Sequence, residues 1–187
     1  MHKFKSVLTN LPISLMSLGI IIVLSSCKQQ YKTEINHINN LKDSIALNSK
    51  KLEFDIAPFQ ARVSEMDDNI NQLKYAIKDT LTLEMGSQFD RYKGITKIYK
   101  SNIKRYKFCK TETIELTAQL NNLLIDINNN KLGKKEIKEF YRKEKLDVLN
   151  LIESTKGIHP SILEVESEFR RLSKIVFEQI AKEKAEN

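Results

Sequence analysis

The sequence predicts an all-α fold, an antiparallel bundle of four or five long helices packed along coiled-coil-like seams. Three observations carry that prediction. The 187 residues include only 5 Gly and 3 Pro, so helix breakers are sparse. Apolar residues recur at steps of three, four and seven, with none of the two-residue alternation a sheet requires. The interruptions are short clusters of turn-forming residues, the kind that join long helices.

The first seam runs through Ile45, Leu52, Ile56, Phe59, Val63, Met66, Ile70, Leu73 and Ile77, facing partner helices. Pro58 falls within it. Proline lacks an amide donor and biases Ala57 toward extended geometry, which predicts a kink or a fresh helix start there. Gly86 followed by Ser87-Gln88-Phe89-Asp90 reads as a helix stop and a new N-terminus.

A second helix then spans about 89–127. Its seam holds Tyr92, Tyr99, Tyr106, Thr113, Leu120 and Ile127, with Ile95, Asn102, Cys109, Leu116 and Leu123 alongside. Asn128-Asn129-Asn130 through Gly133 supplies turn residues that tolerate left-handed backbone. A third helix covers about 134–155, with Ile137, Phe140, Tyr141, Val148, Leu151 and Ile152 on its apolar side. Gly157-Ile158-His159-Pro160 breaks it, and Ser161-Ile162-Leu163-Glu164 has the capping-box pattern for a last helix carrying Ile162, Val165, Phe169, Leu172, Val176 and Ile180.

A kinked first helix gives a four-helix up-down bundle, and a break at Pro58 gives five helices. An extended coiled-coil hairpin is the third arrangement. The compact bundle is preferred, because the third and fourth helices are each too short to cover the first two as a simple two-stranded coil.

The N-terminus has a different character. His2, Lys3 and Lys5 precede the apolar run 11–24, which as a helix would reach only about 21 Å, short of the ~30 Å core of a bilayer. Leu24-Ser25-Ser26-Cys27 follows directly. This arrangement resembles the signal peptide and lipobox of bacterial lipoproteins. The resemblance implies cleavage after Ser26 and a diacylglyceryl group on Cys27, carrying palmitate-like chains, as the one covalent addition. No other cofactor is expected. The chain then divides into a signal peptide (1–26), a lipidated tether (27–33) and a helical domain (34–187). Lys28 after the cysteine, where an Asp resembles an inner-membrane retention signal in enteric bacteria, favours the outer membrane where the cell has one.

Removing Lys3 and Lys5 lowers the formal charge from +7 to +5, which permits contact with an anionic surface without demanding it. With Cys27 acylated, Cys109 is left alone, as a small buried hydrophobe or a thiol for a dimer bridge. The oligomeric state is open.

Four constellations are candidates for function. Glu34 and His37 have the E-x-x-H spacing of di-iron bundles, but the other mature histidine, His159, has Lys156 three residues before it, so the ligand count fails and no metal is expected. Lys93, Lys97, Lys100, Lys104 and Lys107 form a stripe at four-three spacing inside the basic stretch 91–110. That stripe either meets an anionic surface or an acidic envelope protein, or is a solvated face balanced by Asp67, Asp68, Asp79 and Glu84. Tyr92, Tyr99 and Tyr106 either line a cavity for a small ligand, making the protein a carrier or sensor, or pack in the core with their hydroxyls at the rim. The mixed charges of 134–145 read as intrahelical pairs without function.

No phosphate loop, nucleophile elbow, H-E-x-x-H or Cys-His pairing is present. Nucleic-acid binding does not suit a chain routed out of the cytoplasm. The expectation is a non-enzymatic lipoprotein of the bacterial cell envelope, anchored to the membrane through its lipid, whose helical bundle serves as an interaction or structural module.

Overall fold

The computed structural model describes residues 31–77 and 81–185; Ser26, Cys27 and Asp79 lie outside them. Among the described residues there is no strand. The helices are α1 (Lys32–Ser49), α2 (Ala57–Ala76), α3 (Leu83–Asn128), α4 (Lys134–Thr155), α5 (Ile158–Glu164) and α6 (Glu166–Ala185), with one 3₁₀ turn, Lys50–Leu52, after α1. Five of them are long, which is the all-helical bundle expected from a break at Pro58. α1 already begins within the stretch assigned to the tether, and Tyr31 packs against the core.

The long helices lie in three tracks rather than side by side. α1 and α2 run end to end as one track, α3 returns alone as the second, and α4, α5 and α6 form the third. Cross-track contacts fix the directions. His37 stacks on Tyr141 and Asn48 bonds Thr155, so α1 and α4 are parallel. Arg62 meets Glu166 and Gln72 meets Lys184, so α2 and α6 are parallel too. Asn69 bonds Tyr92 while Asp67 pairs with Lys100, which makes α3 antiparallel to α2. The 46 residues of α3 reach about 69 Å, and α2 and α6 cover its first half as α1 and α4 cover its second. The helices thus pack as a bundle with antiparallel neighbours across α3. The later helices, too short singly, match α3 once laid end to end.

Each helix terminus has a physical cause, and two differ from expectation. Pro58 occupies the first turn of α2, where an amide donor has no intrahelical partner to lose, and Asp55 Oδ1 accepts the Ala57 N–H at 2.9 Å. Gly86 is no stop. Thr82 caps α3, its hydroxyl accepting the Met85 N–H at 3.2 Å, and the helix runs through Gly86 because burial of Met85 and Phe89 on its flanks outweighs one glycine. Glu136 accepts the Gly133 N–H at 2.7 Å to start α4, and Gly157, at φ 78°, ends it in the left-handed conformation. Asn130 takes the left-handed position, φ 53°, in the α3–α4 turn. Ser161 caps nothing. Helix resumes directly at Ile158, with Pro160 tolerated in that first turn, so Ser161 lies inside α5 and α6 starts at Glu166.

Gly86→Ala separates the two readings of that glycine. A Cβ there meets nothing within 4 Å and the backbone φ is not positive, so the substitution should gain about 0.5–1 kcal/mol in a denaturant titration. A loss of stability would restore the helix stop.

The core follows the seams. Tyr92, Tyr99, Leu116, Leu120 and Ile127 of α3 are fully buried with Met66 and Leu73 of α2, Ile38 and Ile45 of α1, Ile137 and Leu151 of α4, and Leu172 and Val176 of α6. Phe140, placed on the apolar side of its helix, is instead 45% exposed.

Candidate functional site

Both outer tracks break at the same level. At this waist the segment 50–56, the last turn of α4 and Lys156 after it leave carbonyls without helical partners. Two consecutive residues of α3 satisfy them. The Tyr106 hydroxyl donates to the carbonyls of Leu52 and Phe54 at 3.1 and 3.3 Å, and Arg105 Nη2 donates to those of Ser154 and Lys156 at 3.0 Å each. Arg105 also sits where the α4 dipole is negative. Phe54 stacks between these groups, 4.3 Å from the His159 ring and 5.0 Å from Tyr106.

The tyrosine ladder is part of the same frame. Tyr92 Oη lies 3.2 Å from Asn69 Nδ2 and 3.2 Å from Ser173 Oγ, tying α2, α3 and α6 together. The Tyr99 hydroxyl donates to Glu166 Oε2 at 3.0 Å, and Glu166 also receives Arg62 and Arg170. Burial pushes both phenols above their ordinary range, more strongly for Tyr99, whose neighbouring carboxylate adds to the effect. All three hydroxyls are engaged within the protein, so the rings serve the core. Cys109 is likewise completely buried, which takes its sulfur away from a surface dimer bridge. The two described imidazoles, His37 and His159, each stack on an aromatic ring on a separate part of the surface.

The lysine stripe lies on the outer line of α3, away from this frame. Lys93 pairs with Asp90 at 2.7 Å and covers the Phe89 ring, while Lys100 pairs with Asp67 at 2.7 Å. Of the four acids expected to balance the stripe only Asp67 does so among the described residues. Glu84 instead accepts from Gln88. Lys97, Lys104 and Lys107 are exposed and have no ion pair among the described residues. A hollow of about 420 Å³ runs beside them between α2 and α3, with Val63 and Ile103 as its floor and Lys100, Lys104 and Lys107 on its rim. It presents positive charge over an apolar base, which suits an anionic group carried on an apolar body.

Two buried polar residues with an unmatched oxygen have no place in the sequence analysis. Glu144 is only 7% exposed, between α3 and α4, with Oε2 unpartnered among the described residues. Asn48 donates to Thr155 Oγ1 at 2.9 Å and leaves its own Oδ1 unmatched. The signal was present in the heptads. Glu144 stands seven residues from both Ile137 and Leu151, and Asn48 seven from Leu41.

The residues 134–145 do form intrahelical pairs, Lys135 with Glu139 and Lys143 with Asp147. No group of three or more metal-binding side chains occurs among the described residues. Comparison with protein-family models, curated proteins and solved structures finds no match to the chain.

Proposed function

We propose that the protein is a lipid-anchored, non-enzymatic module of the bacterial cell envelope: a three-track helical rod, held to the membrane through Cys27, that contacts an anionic component along the outer face of α3. The observation that carries the reading is the basic, apolar and Leu-Ser-Ser-Cys succession of residues 2–27. The exposed Lys97, Lys104 and Lys107 supply the contact surface. A helical frame in which Tyr92, Tyr99, Tyr106, His37, His159 and Cys109 are engaged in packing or stacking supports a structural role over a catalytic one.

No helix among the described residues is long and apolar enough to cross a membrane, so membrane attachment would rest on the lipid. Each buried methylene contributes about 0.8 kcal/mol, and two or three acyl chains hold firmly where one does not. Growth with an alkyne-labelled fatty acid should tag the wild type and leave Cys27→Ala unlabelled and larger by the retained signal peptide. Equal labelling of both would overturn the anchor.

A further inference from the structure

We infer that the outer face of α3 lies down on the anionic leaflet to which the protein is tethered, its lysines among the phosphate headgroups and its apolar half near the anchored end. The inference rests on the lipid-anchor reading and adds the partner and the orientation.

The outward line of α3 is a second register of four-three steps: Lys93, Lys97, Lys100, Lys104 and Lys107, then Thr111, Ile114, Ala118, Asn121 and Ile125. None of the ten is acidic. Ile114 is 70% exposed and Ile125 53%, and Phe108 beside them is 55% exposed. Two of the lysines meet acids at 2.7 Å, Lys93 with Asp90 and Lys100 with Asp67, and Glu112 and Glu115 stand beside the aliphatic half. Unpaired lysines next to exposed aliphatic side chains suit an anionic lipid interface, where phosphates meet the ammonium groups and acyl chains the aliphatic ones. Here Lys97, Lys104 and Lys107 have no ion pair among the described residues. The hollow between α2 and α3 adds an apolar floor beside the unpaired ammonium groups of Lys104 and Lys107, a fit for a headgroup phosphate with the first methylenes of its chain, while Lys100 on the same rim is held by Asp67.

The ends of the rod agree with this orientation. α1 is parallel to α4, and α4 follows the end of α3 by a short turn, so Lys32 enters at the end where α3 stops. The first described helix therefore starts toward the Ile125 end of α3, while the lysines lie further along the axis. A rod tethered at one end and tipped onto α3 places aliphatic side chains near the inserted acyl chains. It spreads the lysines over the surface beyond, where each is worth about fivefold in partitioning to an anionic leaflet.

The test uses the acylated protein purified from its own membranes and bound to vesicles of phosphatidylcholine, with or without phosphatidylglycerol. An amine-reactive reagent should modify Lys97, Lys104 and Lys107 at least about fivefold more slowly on the vesicles with phosphatidylglycerol. Lys135 and Lys174, whose side chains are 91% and 78% exposed on α4 and α6, should react equally on both. The double variant Lys104→Glu/Lys107→Glu, with unchanged helical content, should lose the protection at Lys97. Protein retained on both vesicles with equal rates at all lysines overturns the docking and leaves the anchor standing. Protein that floats with neither vesicle overturns both.

Discussion

Glu144→Leu should stabilise the protein by about 1–3 kcal/mol at pH 7, the direction opposite to most substitutions in a core. The carboxylate occupies a seam position between Ile137 and Leu151, both essentially unexposed. Its Oε2 has no partner among the described residues, and Oε1 meets only Lys143, at 3.8 Å on the rim. Burial raises its pKa above the ordinary carboxyl value, against the pull of Lys143 and with help from Asp147.

The pH dependence follows from that direction. Below the ordinary value, near 4.5, the group is protonated in folded and unfolded chains alike and costs little. As the pH rises through the raised folded value, the unfolded chain ionises more readily and wild-type stability falls. The advantage of Glu144→Leu should therefore be large at pH 7 and shrink toward pH 4 in paired urea titrations. A variant no more stable than wild type at pH 7 would mean the carboxylate is solvated or paired.

Arg105→Met should have a comparably large effect of the other sign, a loss of about 2–3 kcal/mol. One guanidinium nitrogen holds the Ser154 and Lys156 carbonyls at the end of α4, and bonds to a charged donor contribute about 1.5–3 kcal/mol each, less where water reaches them. For a chain of this length the melting temperature should fall by roughly 4–12 °C. Lys97→Met removes the same charge from the same basic stretch, yet should stay within about 0.5 kcal/mol because Lys97 is exposed and has no ion pair among the described residues. Equal losses for both variants would show that net charge, not the waist, is responsible.

The contrast between Arg105 and Lys97 marks how far the sequence could be read. Periodicity identifies the buried face of a helix, so Tyr92, Tyr99, Leu116, Leu120 and Ile127 were legible as core, and the outward lysines as one stripe. It does not say which helix lies against that face. The end-to-end order of α1 with α2, and of α4 with α6, was therefore hidden, and with it the waist that gives Arg105 and Tyr106 their partners. Local signals misled where tertiary burial outweighed them. Gly86 sits beside buried Met85, and Ser161 beside buried Ile162 in a helix that had already begun. Phe140 was assigned to the core from its residue type, although Ile137, Glu144 and Val148 hold the inward positions. Glu144 itself is a case where reading the heptad strictly, charge included, would have located the site.

Because both outer tracks are interrupted at one level, α3 is, among the described residues, the only continuous helix passing between the two halves of the rod. A load applied at one end of the rod and resisted at the end where α1 begins would cross the midpoint mainly along that backbone. Fewer continuous helical backbones resist bending there than in either half, with the bonds from Arg105 and Tyr106 acting as stays on either side. The molecule is in mechanical terms two stiff arms on a common spring, and their angle is set by a few hydrogen bonds to carbonyls that no helix claims.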